Sequence, residues 1–322
     1  MAGTLENAES HDGAGACRGK GRPSGLDPSQ SAFVSKARGH YTLAFGAGRH
    51  TSQAMLRYRA ALLGLLLPWT AFAQPPTSVH ATYEADAAGL HVADVDTGLT
   101  TGPRTYRMTL AFNTTGMVGF FFHGQQTSTV TGTWRGAAAD PAQYKGQGTW
   151  RGTDRLTVID YDHGQPQIRE LTPPDPDDRE PVPESLQTNS IDTLSAMMQL
   201  IHVVAATGRC DTAVRTFDGR RATDIEAHTA GPETLEPTSR SAFAGKALRC
   251  DFTGRLVAGF KRDEDHARAA RPIHGSAWLA PAVPGGPPLP VRLSFETRYF
   301  GNATMYLTDA GPGSDVKLAG KN

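Results

Sequence analysis

Among 322 residues there are only three cysteines and four tryptophans, and neither charge is in excess, with 32 Lys/Arg against 32 Asp/Glu. Each shortage excludes something. Cys17, Cys210 and Cys250 show no Cys-x-x-Cys spacing and no flanking histidine, so neither a zinc ribbon nor a dithiol redox motif is present. There is no Gly-x-Ser-x-Gly elbow, no His-Glu-x-x-His helix and no Gly-x-x-x-x-Gly-Lys-Ser/Thr loop, which leaves the hydrolase, zinc-protease and nucleotide-binding classes without their usual signatures. No apolar run reaches the roughly 20 residues that a bilayer core requires. The longest, Ala60–Leu67, stops at Pro68.

The charge balance is uneven. Residues 1–73 hold 8 Lys/Arg and 4 Asp/Glu, leaving 24 and 28 for residues 74–322, so the two parts carry net +4 and −4. A slightly acidic body has no field to gather nucleic acid or anionic headgroups.

What is present begins with an export signal. Arg57 and Arg59 precede the apolar run, and Ala71-Phe72-Ala73 follows it as a small-x-small cleavage site before Gln74. That layout predicts a signal peptide over residues 55–73, cut between Ala73 and Gln74, and a periplasmic destination where the cell has two membranes. Residues 1–54, rich in Gly, Ala, Ser and Arg without apolar period, are expected to be a disordered or untranslated leader. No cysteine follows the cleavage site to take a lipid anchor, so the mature chain is expected to be soluble, without a membrane span. Cys210 and Cys250 then form an even pair in an oxidising compartment, and a disulfide between them is the natural reading.

Residues 74–310 predict a single, mainly β domain, with 311–322 as a disordered tail. The 35 glycines and 22 prolines of the chain punctuate short apolar runs, as in all-β proteins. Tyr106, Met108, Leu110 and Phe112 alternate with polar neighbours, which marks a half-buried strand. Met117–Phe122 predicts another strand, Ala87-Ala88-Gly89 a hairpin turn, and Leu156–Tyr161 a strand. Val214–Asp218, Thr223–His228, Leu248–Phe252 and Leu256–Phe260 follow as strands, and Val291–Tyr299 with Ala303–Leu307 as a final hairpin. One helix interrupts them: Asp192 caps it, Leu194, Met197, Met198, Ile201 and Ala205 form its apolar face, and Gly208 ends it.

The order of these features resembles a known family. Asp192-x-Leu194-Ser195 opens the helix, Phe217-Asp218-Gly219 makes a turn, and Trp278-Leu279-x-Pro281 precedes Leu289-Pro290-Val291-Arg292. The run from Tyr83 to Thr308 is similar to the exported bacterial domain-of-unknown-function family 3108, although Pro284–Pro288 separates the last two motifs here. The resemblance implies a β-rich envelope protein, with no catalytic residues to transfer. By analogy with periplasmic lipoprotein carriers, it implies a curved antiparallel sheet or open barrel wrapped around one central helix.

Three functions fit these features. A carrier for an apolar or amphipathic envelope ligand, a lipid or glycolipid, would use Met197 and Met198 as an adaptable groove, with Trp134, Trp150 and Trp278 as aromatic anchors; Trp134 and Trp150 occupy matching places in two Gly-Thr-Trp-Arg-Gly copies. Such tryptophans equally fill ordinary β cores. A structural component would instead bind another envelope protein. A hydrolase would draw on Asp160, Asp162 and His163, although a polar strand end entering a turn explains the same residues. No catalytic residue, cofactor or metal is assigned. Asp175, Asp177 and Asp178 lack the glycine and final glutamate of a calcium loop, and His274 stands without a second ligand.

Overall fold

The computed structural model describes residues 76–116, 119, 123–174, 179–297 and 301–316. Seven strands come first: β1 (Thr77–Ala87), β2 (Leu90–Thr101), β3 (Thr105–Thr114), β4 (Gly124–Arg135), β5 (Ala138–Trp150), β6 (Thr153–Asp162) and β7 (Gln165–Thr172). Two helices follow, α1 (Glu184–Gln187) and α2 (Thr193–Thr207). The chain returns to strands with β8 (Thr212–Phe217), β9 (Ala222–Leu235) and β10 (Gly245–Ala258), passes α3 (His266–Ala269), and ends on β11 (Ile273–Pro281), β12 (Pro288–Thr297) and β13 (Gly301–Pro312).

All 13 strands belong to one antiparallel sheet. Strands adjacent in sequence pair with each other, and β1 also pairs with β13, so the order runs from β7 to β1 and then from β13 back to β8. β7 and β8 are the two edges, and the sheet does not close between them. It curls around α2, which touches β3, β4, β5, β8 and β12. The expected architecture, a curved antiparallel sheet around one helix, is the observed one.

Turn chemistry sets the register. Ala88-Gly89, Arg151-Gly152 and His163-Gly164 each place two successive residues at positive φ, the two-residue turn whose twist matches its flanking strands. The inner face of the sheet then carries the core, with Val79, Val130, Leu289, Val291 and Leu307 at most 2% exposed. Each such side chain contributes about 1.5–3 kcal/mol by leaving water.

Helix α2 is held at both ends and along its length. Asp192 accepts hydrogen bonds from the Ser195 amide at 2.9 Å and the Ser195 hydroxyl at 2.6 Å. With its proton committed to Asp192, Ser195 Oγ takes its 2.8 Å hydrogen bond from the Tyr106 hydroxyl of β3. Gln199 accepts from the Ala139 amide of β5 at 2.9 Å and donates to Thr212 Oγ1 of β8 at 2.8 Å. Gly208, at φ 66°, ends the helix in the left-handed conformation. Burial differs from a single stripe: Ala205 is exposed, while Leu200, Val203 and Val204 are buried. A helix enclosed by a curled sheet buries more than one face.

The open seam is packed by the β8–β9 turn. Phe217 is 1% exposed and shares a second core cluster with Ile159, Val182, Ala222 and Ala258. Asp218 accepts from the Arg220 and Arg221 amides and from the Arg221 guanidinium. Gly219 faces Thr157 and Leu171 across the seam. Arg220 donates to Thr157 Oγ1 at 3.3 Å and to the Pro173 carbonyl at 2.6 Å, which ties the β8 side of the gap to the β6–β7 side.

Several boundaries depart from the sequence reading, among them the end of β9, which runs to Leu235 and not to His228. The separate strands expected at Leu248–Phe252 and Leu256–Phe260 are one strand, β10, because Thr253, Gly254 and Arg255 lose the apolar pattern but keep pairing with β9. β13 runs to Pro312, past the expected domain end at residue 310. The strand expected at Met117–Phe122 lies, apart from Gly119, outside the described residues.

Candidate functional site

Three cross-strand rows on the outer face of β10–β13 build a shallow polar depression. Pairing sets Arg249 opposite Trp278, Trp278 opposite Arg292, and Arg292 opposite Tyr306. One row along, Asp251, Ser276, Ser294 and Thr304 stand side by side, and beyond them Thr253, His274, Glu296 and Asn302. Residues two apart on a strand face the same way, so these rows share the face opposite Cys250, Ala277 and Leu293 of the core. The depression encloses about 390 Å³.

Its floor is organised by charge. The Arg249 and Arg292 guanidinium carbons each lie 5.6 Å from the Trp278 ring centroid, and Arg292 lies 5.6 Å from the Tyr306 ring. Such contacts hold an arginine flat along a strand face. Asp251 accepts from Arg249 Nε at 2.8 Å and from Ser276 Oγ at 2.6 Å. Burial alone would push the Asp251 carboxyl up; the Ser276 and Arg249 hydrogen bonds outweigh it and hold the group below the usual carboxylate range. Glu296 accepts from the His274 amide at 3.2 Å, and the His274 ring meets Thr253 Oγ1 at 3.2 Å. Trp278 is 9% exposed, and its indole N–H finds no acceptor among the described residues.

Of the five residues proposed from sequence to touch a ligand, Met198 and Trp278 belong to the main core cluster, Met197 and Trp134 pack against it, and Trp150 does neither. Met198 is 1% exposed within the core, and Met197 packs half-buried beside it. Trp134 stacks on His202 of α2, at 4.1 Å, and meets the tilted Tyr106 ring at 4.5 Å. Trp150 lies at the opposite end of the β4–β5 pair, 37% exposed, over Gly124. Only Trp278 borders the depression.

A polar strand end describes Asp160, Asp162 and His163. Gln143 and Arg169 each donate to Asp160 at 2.8 Å, and these bonds, Gln143 first, hold its carboxyl below the usual range. Asp162 and His163 are 3.5 Å apart, 68% and 98% exposed, with His163 in the turn at φ 49°. Cys210 and Cys250 form a disulfide with Cα atoms 5.7 Å apart. Ala73, Gln74, Asp175, Asp177 and Asp178 lie outside the described residues. Among the described residues, no helix is long and apolar enough to cross a membrane.

A family model described as "Protein of unknown function (DUF3108)" matches residues 82–308. The chain belongs to the DUF3108 family. The four motifs that carried the resemblance have structural places in this DUF3108 domain: the first anchors α2 to Tyr106, the second packs the seam, and the last two pair with each other to set Trp278 against Arg292. No curated protein matches the chain. Among solved structures, a β-barrel-like protein of domain of unknown function DUF1849 from Brucella abortus is similar, at 10% identity and TM-score 0.43, over 73% of this chain and 98% of that one.

Sequence reasoning did not find the depression. Asp251, Ser276, His274 and Glu296 each sit in an alternating strand whose polar positions look like ordinary solvated face, and only the pairing of β10 with β11 and β12 assembles them.

Proposed function

We propose that this chain is an exported, non-catalytic binding protein of the bacterial envelope, whose outer-face depression holds the polar end of an amphipathic ligand such as a glycolipid. The observation that carries this reading is the depression itself, a concavity where the Asp251 and Glu296 carboxylates and the His228 and His274 imidazoles border one space. The interior supports it less, because Met198 and Trp134 are occupied in packing around α2. The residue 55–73 signal pattern supports export to the periplasm.

The test is native mass spectrometry, with lipid extraction, of the chain recovered from the periplasm. A retained lipid or glycolipid supports the reading, and an empty protein that accepts no added envelope lipid sinks it.

One observation favours a second reading, an interaction component. Ile168 is 42% exposed on β7, an edge strand, and such edges invite pairing with another chain. A photo-crosslinking residue at position 168 should then trap one envelope protein in living cells; no adduct would end this reading.

A further inference from the structure

We infer that the outer-face depression is a saccharide site, taking a short, hydroxyl-rich sugar without net negative charge. This rests on the binding reading above and gives it a ligand chemistry.

The lining asks for a ligand that both donates and accepts. Asp251 and Glu296, as carboxylates, only accept. Asn302, His228 and His274 offer either role. A hydroxyl meets both demands, and a ring bearing several hydroxyls meets them at once. The spacing suits such a ring: directly opposed residues stand about 5 Å apart across an antiparallel pair, and same-face residues about 7 Å apart along a strand. At about 390 Å³ the space is at the small end of ligand pockets, room for a few rings rather than a long chain.

Two alternatives fit less well. An anionic group would meet two carboxylates, and the lining's one guanidinium, Arg249, is already committed to Asp251 at 2.8 Å, with Glu233 at 3.7 Å, which leaves it the His228 and His274 imidazoles. An acyl chain would find Phe252 and Phe295 in the lining but would also cover the Asp251 and Glu296 carboxylates, which a sugar's hydroxyls can satisfy. The sugar therefore lies across the rows of the depression, and any attached lipid points away from it.

Backbone amide NMR of the exported chain tests this. The probes are glucose, N-acetylglucosamine and maltose, with glucose 6-phosphate, dodecyl maltoside and dodecylphosphocholine as comparisons. A neutral sugar should shift the amides of Asp251, Ser276 and Glu296, and Glu296→Gln, a change at an exposed position, should weaken it about tenfold by removing one charge-assisted hydrogen bond. Ser276→Ala offers a second variant with an intact fold. Glucose 6-phosphate binding tighter than glucose would overturn the charge argument. Silence toward all three neutral sugars overturns the saccharide class; if dodecylphosphocholine still shifts these amides, the wider binding reading survives. Silence toward every probe, with an empty protein in native mass spectrometry, removes both.

Discussion

Gly132 of β4 lies flat beneath the phenol ring of Tyr106 on β3, so close that a Cβ at position 132 would meet Tyr106 Cζ at 2.4 Å. The ring cannot simply swing away, because its hydroxyl is bonded to Ser195 and its other neighbour is Trp134. Gly132→Ala should therefore cost about 1–3 kcal/mol through overpacking, read as a lowered urea midpoint. Gly124→Ala should cost less, since the ring that it displaces belongs to the partly exposed Trp150.

Asp192 makes stability depend on pH in an unusual direction. Burial pushes its carboxyl up to about 6, against which the Ser195 hydrogen bonds pull down. The folded state then binds more protons than the unfolded state between the ordinary carboxylate range and about pH 6. This group's contribution is largest below that window and falls as pH rises through it, by up to about 3 kcal/mol in all. Asp251 and Asp218, held below the usual range, act oppositely at lower pH. Asp192→Asn should flatten the change in urea midpoint between pH 5 and pH 8, while Asp192→Ala should lose the cap at a cost of about 1–2 kcal/mol. A variant with asparagine that keeps the full slope would place the titration elsewhere.

Reduction of Cys210–Cys250 opens a loop with a sequence separation of 40. On the chain-entropy account this removes about 4 kcal/mol, so Cys210→Ser with Cys250→Ser should unfold at clearly lower urea than the oxidised chain. Both sulfurs are fully buried, and the native protein should resist mild reductant until it opens.

Arg220→Ala tests the seam. Losing the bonds to Thr157 and Pro173 should destabilise by about 2–3 kcal/mol. Amide hydrogen exchange should rise most in β6, β7 and β8 if the gap is where the sheet opens first, and a uniform rise would refute that local role.

The helix was legible because its signals are local: Asp192, Ser195 and Gly208 do their work within a few residues of their own backbone. So were the hairpin at Ala88-Gly89 and the disulfide. The two Gly-Thr-Trp-Arg-Gly copies were not, because identical residues meet different surroundings. Trp134 ends β4 facing inward beneath α2, whereas Trp150 ends the antiparallel β5 at the opposite rim, and only the second copy turns with Arg151 and Gly152 both at positive φ. The depression was illegible for a related reason. Asp251 and Glu296 are 45 positions apart by their numbers and share a face only through the register of β10, β11 and β12.

The pairing of β1 with β13 makes the topology a ring with a break that could be placed elsewhere. Val79 sits opposite Pro312, and the Gly313 amide donates to the Ser78 carbonyl, so a short linker would join those strands as one more hairpin. A circular permutant joined there, and opened between β7 and α2, would run the whole sheet from β8 to β7 as one uninterrupted up-and-down meander. Every strand would then pair only with its immediate neighbours in sequence, and a chain with such local contacts should fold faster than the natural order, which must wait for its last strand to meet its first.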